Sequence, residues 1–171
     1  MAEQTAATVK RTDRAGKYLT FMLAEEEYGL EILKVREIIA AMDITSIPKT
    51  PEFVKGVINL RGKVIAAIDL RLKFGMDEKD HTGETCIIVV NFGDVEMGVI
   101  VDRVCEVLDI AAGQIEDAPA FGAEVEADFI LGMGKTAGRV IILLDLDKVL
   151  SQADVSVVNA VDIGAGDGPE S

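Results

Sequence analysis

The chain has 171 residues, of which 49% are apolar and 5% aromatic, and it carries a formal net charge of −13. A chain of this length buries roughly 70% of its unfolded surface, so it can fold without disulfides or structural metals. The strongly acidic charge repels phosphate backbones and anionic lipids, which argues against nucleic acid and membrane surfaces as partners.

Export and membrane signals are missing from the sequence. No apolar run approaches the roughly 18 residues that a membrane span requires, and the N-terminus has a polar leader instead of an apolar signal segment. The two cysteines, Cys86 and Cys105, lie inside apolar runs and are typical of buried thiols in a reducing compartment. We therefore expect a cytoplasmic protein with no direct membrane insertion.

The first half of the chain predicts short strands joined by tight turns, after a flexible tail at residues 1–16. Apolar and β-branched runs mark the strands, while acidic residues, Gly and Pro mark the turns. In chain order, the predicted elements are a strand at 18–23, a strand at 28–32, a short helical turn at 33–39, an extended piece at 44–48, a hairpin of 54–60 with 63–70, and a helical turn at 71–74.

The second half follows the same order after a polar connector at 76–84. The continuously apolar run at 85–92 predicts a strand that is buried on both faces. The remaining predicted elements are a strand at 95–101, a loop at 111–126, a hairpin of 129–133 with 140–144, a short helix starting within 146–151, and a C-terminal helix or tail at 152–171.

The similar order of the two halves reflects an internal repeat. The run from Tyr28 to Ile38 matches the run from Met97 to Val107 at a shift of 69 positions (28 to 97), and Gly62 to Ile65 matches Gly138 to Ile141 at a shift of 76 (62 to 138). A repeat of this kind indicates two copies of one small unit. With about five short strands in each unit, the pattern favours two small closed barrels, because closure removes exposed edge strands.

The sequence therefore predicts an all-β fold of two small barrels packed together, with short helical turns and a C-terminal helix. The predicted domain spans residues 17–151, with barrel subdomains at approximately 17–76 and 84–151. Strands could be exchanged between these two subdomains.

Residues that could carry catalysis or bind a metal are few and scattered. The one histidine, His81, sits in the polar connector and has no nucleophile beside it. No nucleophile pattern, metal-ligand spacing, calcium loop or phosphate-binding glycine loop occurs. We expect no enzyme activity, no cofactor and no metal site.

Comparison of the two repeat copies points to one binding residue. The turn at 59–62 (Asn-Leu-Arg-Gly) corresponds to the turn at 135–138 (Lys-Thr-Ala-Gly), and only the glycine is shared. A turn glycine meets a backbone requirement, whereas Arg61 can project a rigid donor fork into a groove. An exposed arginine that serves only solubility is the alternative interpretation.

Several motifs together resemble the CheW family of bacterial chemotaxis coupling proteins. The most specific is the Asn-Leu-Arg-Gly turn at 59–62, which follows Lys-Gly-Val-Ile at 55–58. The resemblance covers roughly residues 17–151 in order and spacing. The other motifs that carry it are Glu26-Glu27-Tyr28-Gly29, Ile32-Leu33-Lys34-Val35-Arg36-Glu37-Ile38, Thr50-Pro51, Ile68-Asp69-Leu70-Arg71 and Val99-Ile100-Val101-Asp102-Arg103-Val104.

This resemblance implies two intertwined five-stranded SH3-like barrels with a hydrophobic seam between them. It also implies a scaffold without catalysis, which couples methyl-accepting chemoreceptors to the histidine kinase CheA at membrane receptor arrays. In the family the regulatory domain of the kinase is bound barrel end to barrel end. By resemblance we place that contact around Ile44, Ile47 and Gly56.

The resemblance also implies a receptor-binding groove between the barrels. In the family this groove receives the cytoplasmic tip of the receptor, and the arginine of the Asn-Leu-Arg-Gly turn, here Arg61, lines it. The matching positions on its apolar side are Val35, Ile38 and Ile87, and Glu37 lies at its polar edge. Two alternatives stay open: an adaptor of the same family in another chemosensory pathway, such as surface motility, and a small ligand-binding β protein.

Overall fold

The computed structural model of this protein describes residues 14–117 and 129–150, most of which lie in short strands. Helices are short: α1 is Leu70–Lys73, α2 is Leu146–Val149, and 3-10 turns occupy Ile32–Lys34 and Ala112–Gln114. The strands are β1 Gly16–Leu23, β2 Glu26–Glu31, β3 Val35–Ala40, β4 Val54–Leu60, β5 Lys63–Asp69, β6 Cys86–Phe92, β7 Val95–Val101, β8 Arg103–Ile110, β9 Ile115–Glu116, β10 Ile130–Thr136 and β11 Arg139–Leu144.

The strands form two sheets, and each sheet combines strands from both halves of the chain. We call the sheet with the order β3-β6-β7-β5-β4 the first barrel, and the sheet with the order β8-β1-β2-β11-β10-β9 the second barrel. The hairpin β1-β2 comes from the first half of the sequence but lies in the second barrel. The hairpin β6-β7 comes from the second half but lies in the first barrel. The two halves of the chain thus exchange their leading hairpins.

The internal repeat makes this exchange symmetric. The shift of 69 relates β1-β2-β3 to β6-β7-β8, and the shift of 76 relates β4-β5 to β10-β11. With these equivalences five strands follow the same order in both barrels, and the second barrel adds β9 at its edge. Each barrel contains one parallel contact, β5 with β7 and β2 with β11. In the described residues, the molecule is therefore two copies of one topology that interlock.

Each barrel has its own apolar core, and a larger apolar cluster, here called the seam, lies between the barrels. Ile87 and Val89 lie in the core of the first barrel, whereas Ile88 and Val90 lie in the seam. Because successive side chains of a strand point to opposite faces, β6 is buried on both faces, as its apolar run predicted. Both barrels contribute to the seam, which includes Leu19, Phe21, Leu23, Tyr28 and Leu30 from the second and Ala66, Ile68, Met97, Val99 and Val101 from the first.

Three segments differ from the sequence-based expectation. The prediction of a helical turn at 33–39 is wrong over most of its length, because the 3-10 turn ends at Lys34 and β3 begins at Val35. Pairing of this β-branched segment with β6 overrides its helical spacing. β8 was not predicted, because its half-exposed residues lack a continuous apolar run. The loop predicted at 111–126 contains the 3-10 turn Ala112–Gln114 and β9 in its described part, and its residues 118–126 lie outside the described residues. The predictions for the tails fall largely on residues 1–13 and 151–171, which also lie outside the described residues.

Candidate functional site

The turn between β4 and β5 holds the arginine that the sequence singled out. Arg61 and Gly62 have φ values of 53° and 87°, typical of a two-residue hairpin turn of type I′, and Gly62 N donates to Asn59 Oδ1 at 2.8 Å. The corresponding residues of the second barrel, Ala137 and Gly138, have φ values of 53° and 77°. The two turns share a backbone conformation and differ in the side chain that they present.

The side chain of Arg61 reaches across to the edge strand β3. Its Nη2 donates to Glu37 Oε2, and the side chains of the two residues are 68% and 33% exposed. A register shift between Val35 and Glu37 marks a β-bulge, which changes the direction of the side chains around it. Because an exposed ion pair contributes only about 0–1 kcal/mol, this contact orients Arg61 while leaving it available to a partner.

Apolar side chains beside this ion pair lie on the seam face of β3. Val35 is half-buried against the seam, and Ile38, which is 42% exposed, lies opposite Ile88 of the seam. Ile87 is instead fully buried in the core of the first barrel, opposite Ile39. Cross-strand neighbours support each other on one face of a sheet. The structure therefore places Ile87 beneath β3, out of direct reach of a partner.

Three further apolar residues that are not fully buried were not predicted as site residues. Leu33, in the 3-10 turn, is 90% exposed, and Ile32 and Val104 are half-buried against the seam. Val104 is the counterpart of Val35 at the shift of 69, so the repeat itself could have identified it. Leu33 has no such signal, because its exposure depends on how the 3-10 turn lies against both barrels.

Charged side chains distinguish the two barrels near these turns. In the first barrel, Glu96 is paired with Arg36 Nε at 2.9 Å and with Lys63 Nζ at 3.0 Å, and the hydrogen bond from Lys63 lowers the pKa of Glu96. Its counterpart in the second barrel, Glu27, meets Arg139 at 3.5 Å. The first barrel thus gives its carboxylate two close cations, and the second barrel gives its carboxylate a more distant one.

The residues assigned to the kinase lie where the segment after β3 runs along β4. Thr45 pairs with Val57 through hydrogen bonds of 2.8 and 2.9 Å, Ile44 packs against the core of the first barrel, and Ile47 is half-buried. Gly56 is buried, has a φ of 146°, and a Cβ built there would lie 1.9 Å from Thr45 O. The structure brings the three assigned residues into one region. Gly56, however, is buried and allows the backbone at Thr45 to approach β4 closely, so it offers no surface for a partner to contact.

Reactive side chains are dispersed in the part of the chain that the structure describes. Within residues 14–117 and 129–150, no group of three or more His, Cys, Asp or Glu side chains could hold a metal ion. Cys86 and Cys105 are free thiols, and both are half-buried where the sequence predicted full burial. Among these same residues, no helix is long and apolar enough to cross a membrane.

Comparison with known proteins finds relatives over most of the chain. The family model described as CheW-like domain matches residues 17–154. The chain is 41% identical over 145 residues to the chemotaxis protein CheW of Klebsiella aerogenes, covering 85% of this chain and 87% of that protein. It is 36% identical over 140 residues to the chemotaxis protein CheW of Thermotoga maritima, covering 80% and 89%. The crystal structure of the scaffolding protein TtCheW from Thermoanaerobacter tengcongensis matches with a TM-score of 0.75 at 38% identity, covering 82% of this chain and 95% of that chain.

These similarities confirm the prediction of an all-β fold built from two packed SH3-like barrels. They also confirm the prediction that the protein is an adaptor and not an enzyme. The chain belongs to the CheW family, and it is a non-catalytic scaffold of chemotaxis signalling.

Proposed function

We propose that this scaffold couples the cytoplasmic tips of chemoreceptors to the regulatory domain of the histidine kinase CheA, in the cytoplasm at membrane receptor arrays. The receptor tip lies along the seam face of β3, against Val35 and Ile38. Arg61 is its polar anchor, and Glu37 holds that arginine at the edge of the groove. Ile87 acts indirectly, by packing beneath the strand that carries these residues.

The observation that carries this proposal is the difference between the two hairpin turns. Both turns have the same backbone conformation, yet the first presents Arg61, which pairs with Glu37 on β3, and the second presents Ala137. An amphipathic helical hairpin in an apolar groove obtains its affinity from apolar anchors. The arginine adds a directed polar contact, which fixes the register of the bound partner.

The kinase contact in this proposal is the segment that runs along β4. Ile44 and Ile47 present its apolar side chains, and Gly56 allows the segment to approach the β4 backbone closely. Contacts with receptor and kinase then lie on different parts of the first barrel. Several modest contacts of this kind add up in an array, because each bound partner raises the effective concentration of the next.

The proposed receptor contact is tested by the substitution Arg61→Ala. We expect pull-down by receptor cytoplasmic fragments to weaken about tenfold, the usual size of a lost hydrogen bond to a charged group. Stability should change by less than about 0.5 kcal/mol, because the arginine is exposed. Arg139→Ala, which removes an arginine that pairs with Glu27 and Glu106 in the second barrel, is the control and should leave receptor binding unchanged. Unchanged binding of Arg61→Ala would refute the groove assignment, and a large loss of stability would show that Arg61 is structural.

A further inference from the structure

The chain crosses between the barrels at two places, and a short helix lies beside each crossing. β2 leads into β3 through Ile32–Lys34, and β7 leads into β8 through Asp102. α1 supplies Arg71 to an ion pair with Asp102, and α2 supplies Asp147 to an ion pair at the other crossing. The repeat relates Asp102 to Leu33 at the shift of 69, and Arg71 to Asp147 at the shift of 76. The two crossings are therefore counterparts, and an ion pair lies at each of them.

At one crossing, a single carboxylate joins the two barrels. The carboxylate of Asp102 accepts hydrogen bonds from Arg71 Nε at 2.8 Å and from Arg71 Nη2 at 2.7 Å. Arg71 belongs to α1, the helix that follows β5 of the first barrel. The same carboxylate accepts a hydrogen bond of 2.8 Å from the backbone N of Ala24, in the β1-β2 turn of the second barrel. The side chains of Arg71 and Asp102 are only 13% and 20% exposed. A two-pronged pair that is shielded from water is both directional and weakly screened by salt.

The surroundings of this pair hold it in place. Arg71 Nη1 donates to Asp77 O at 3.1 Å, which ties the connector before β6 to the same guanidinium. Asp102 N donates to Met22 O at 3.1 Å, at the end of β1. Burial raises the pKa of Asp102, but the hydrogen bonds from Arg71 and Ala24 outweigh it and keep this pKa below its ordinary value. The carboxylate is thus charged and anchored on both sides at neutral pH.

The opposite crossing is held much more loosely, and with the charges reversed. Lys34 Nζ lies 3.4 and 3.5 Å from the two carboxylate oxygens of Asp147, and these side chains are 35% and 59% exposed. An exposed pair of this kind contributes about 0–1 kcal/mol and is screened by salt. Leu33, which the repeat relates to Asp102, has no charged group that could form an ion pair at this crossing, and it is 90% exposed.

We infer that the Arg71–Asp102 pair is a fixed pivot that sets the angle between the two barrels, and that the Lys34–Asp147 pair contributes little to this angle. Arg71 and Asp102 are then positioning residues for recognition, although neither touches the partner. The opposite crossing carries Leu33 and leads directly into β3, where Val35 borders the groove. The expected effect of Arg71 and Asp102 on receptor binding rests on the proposed function. Their role in setting the angle between the barrels does not.

The pivot is tested by measuring distances between spin labels on the two barrels, without any partner. The labels go on Asp94→Cys in the first barrel and Lys135→Cys in the second, both exposed positions, in a protein whose native cysteines are replaced by serine. Double electron–electron resonance should give one narrow distance distribution for the parent. Arg71→Met should broaden or shift it. Lys34→Met, the matched control at the opposite crossing, should leave it unchanged.

Two results would overturn the pivot: an Arg71→Met protein that is folded by circular dichroism and keeps the narrow distribution, or a Lys34→Met protein that broadens as much. If Arg71→Met does not fold, Asp102→Asn takes its place. The amide oxygen of the new side chain can still accept the hydrogen bond from Ala24 N, while the negative charge that pairs with Arg71 is lost. The same criteria then apply to it.

Binding of receptor cytoplasmic fragments separates this inference from the proposed function. We expect binding to weaken about fivefold to tenfold in Arg71→Met, within the usual range of coupling between distant sites, and to be unchanged in Lys34→Met. A broadened distance distribution with unchanged receptor binding would overturn the positioning role. Unchanged binding in Arg61→Ala would instead refute the groove assignment, while leaving the distance result valid.

Discussion

The first and second barrels share one topology, but they differ in the charged side chains near their hairpin turns. Glu96 of the first barrel is paired with both Arg36 and a lysine, whereas its counterpart Glu27 has one carboxylate oxygen, Oε2, that is buried without a hydrogen-bond partner. The reason is visible in the repeat, because Cys105 occupies the position of Arg36. The comparison teaches that duplication kept the residues that build the barrels and altered the charged side chains at their surfaces. Surface differences between the copies are therefore where separate binding roles can arise.

The strongest test of this comparison uses the glycines that let a neighbouring segment of the chain approach a strand of each barrel closely. Gly56→Ala is expected to destabilise the protein by about 3 kcal/mol or more, because its Cβ would meet the backbone oxygen of Thr45 at 1.9 Å and its φ is 146°. Gly132→Ala, the counterpart in the second barrel, should cost about 1–2 kcal/mol. Its Cβ meets the buried side chain of Ile115 at 2.7 Å, which is a smaller overlap than the one with the backbone at Gly56. Urea unfolding measures both.

Gly83→Ala serves as the control for these two variants, because a Cβ there would have no neighbour within 4 Å. Its free energy of unfolding should stay within about 0.5 kcal/mol of the parent. Equal losses at Gly56 and Gly132 would show that the backbone contact of the first barrel has no special weight.

A second test uses the pH dependence of the buried ion pair between the barrels. The folded-state pKa of Asp102 lies below its unfolded value, since hydrogen bonds from Arg71 and Ala24 outweigh the effect of burial. This carboxylate therefore stabilises the fold above its unfolded pKa of about 3.9, and the contribution is lost as the pH falls through the lower folded pKa. Asp102→Asn should be less stable than the parent at pH 7, and the difference should shrink below about pH 4.

Denaturant unfolding of the parent and of Asp102→Asn at pH 3 to 7 measures that difference directly. Asp69, whose pKa burial raises, has the opposite pH dependence, but it is present in both proteins and cancels in the comparison. The corresponding variant at the loose crossing, Asp147→Asn, should show a smaller difference at every pH. Parallel stability curves for the parent and Asp102→Asn would contradict the assignment of the lowered pKa to this pair.

The smallest expected effect concerns the backbone that the two hairpin turns share. Ala137→Gly should stabilise the protein by about 0.5–1 kcal/mol, because a φ of 53° costs an L-residue roughly 1 kcal/mol that glycine avoids. Arg61→Gly obtains the same relief but loses the pair with Glu37. We therefore expect only Arg61→Gly to lose receptor binding. Thermal unfolding of both variants measures the change in stability, and receptor pull-down measures the change in binding. Loss of receptor binding in Ala137→Gly would contradict the proposal that only the first turn contacts the receptor.

Much of the candidate site could be predicted from the sequence, because its signals are local. The glycine of the turn after Arg61 follows from the positive φ that a two-residue hairpin requires. The repeat placed an alanine at the matching position, which made the arginine conspicuous. The assignment of Ile87 to the apolar side of the groove shows the limit of this reasoning. An apolar run that is buried on both faces does not reveal which residues lie in a barrel core and which lie in the seam.

The sequence by itself determined the two-unit plan, the hairpins β4-β5, β6-β7 and β10-β11, and the family. These properties depend on turn chemistry, on runs of β-branched residues and on a repeat, all of which are read within a few dozen positions. Only the tertiary structure decided that the leading hairpins are exchanged, and that Arg71 meets Asp102 while Leu33 is left exposed. Strand pairing and seam contacts join residues far apart in the chain, and both hairpins of a unit offer similar apolar faces. The choice between them is made by the packing of the whole molecule.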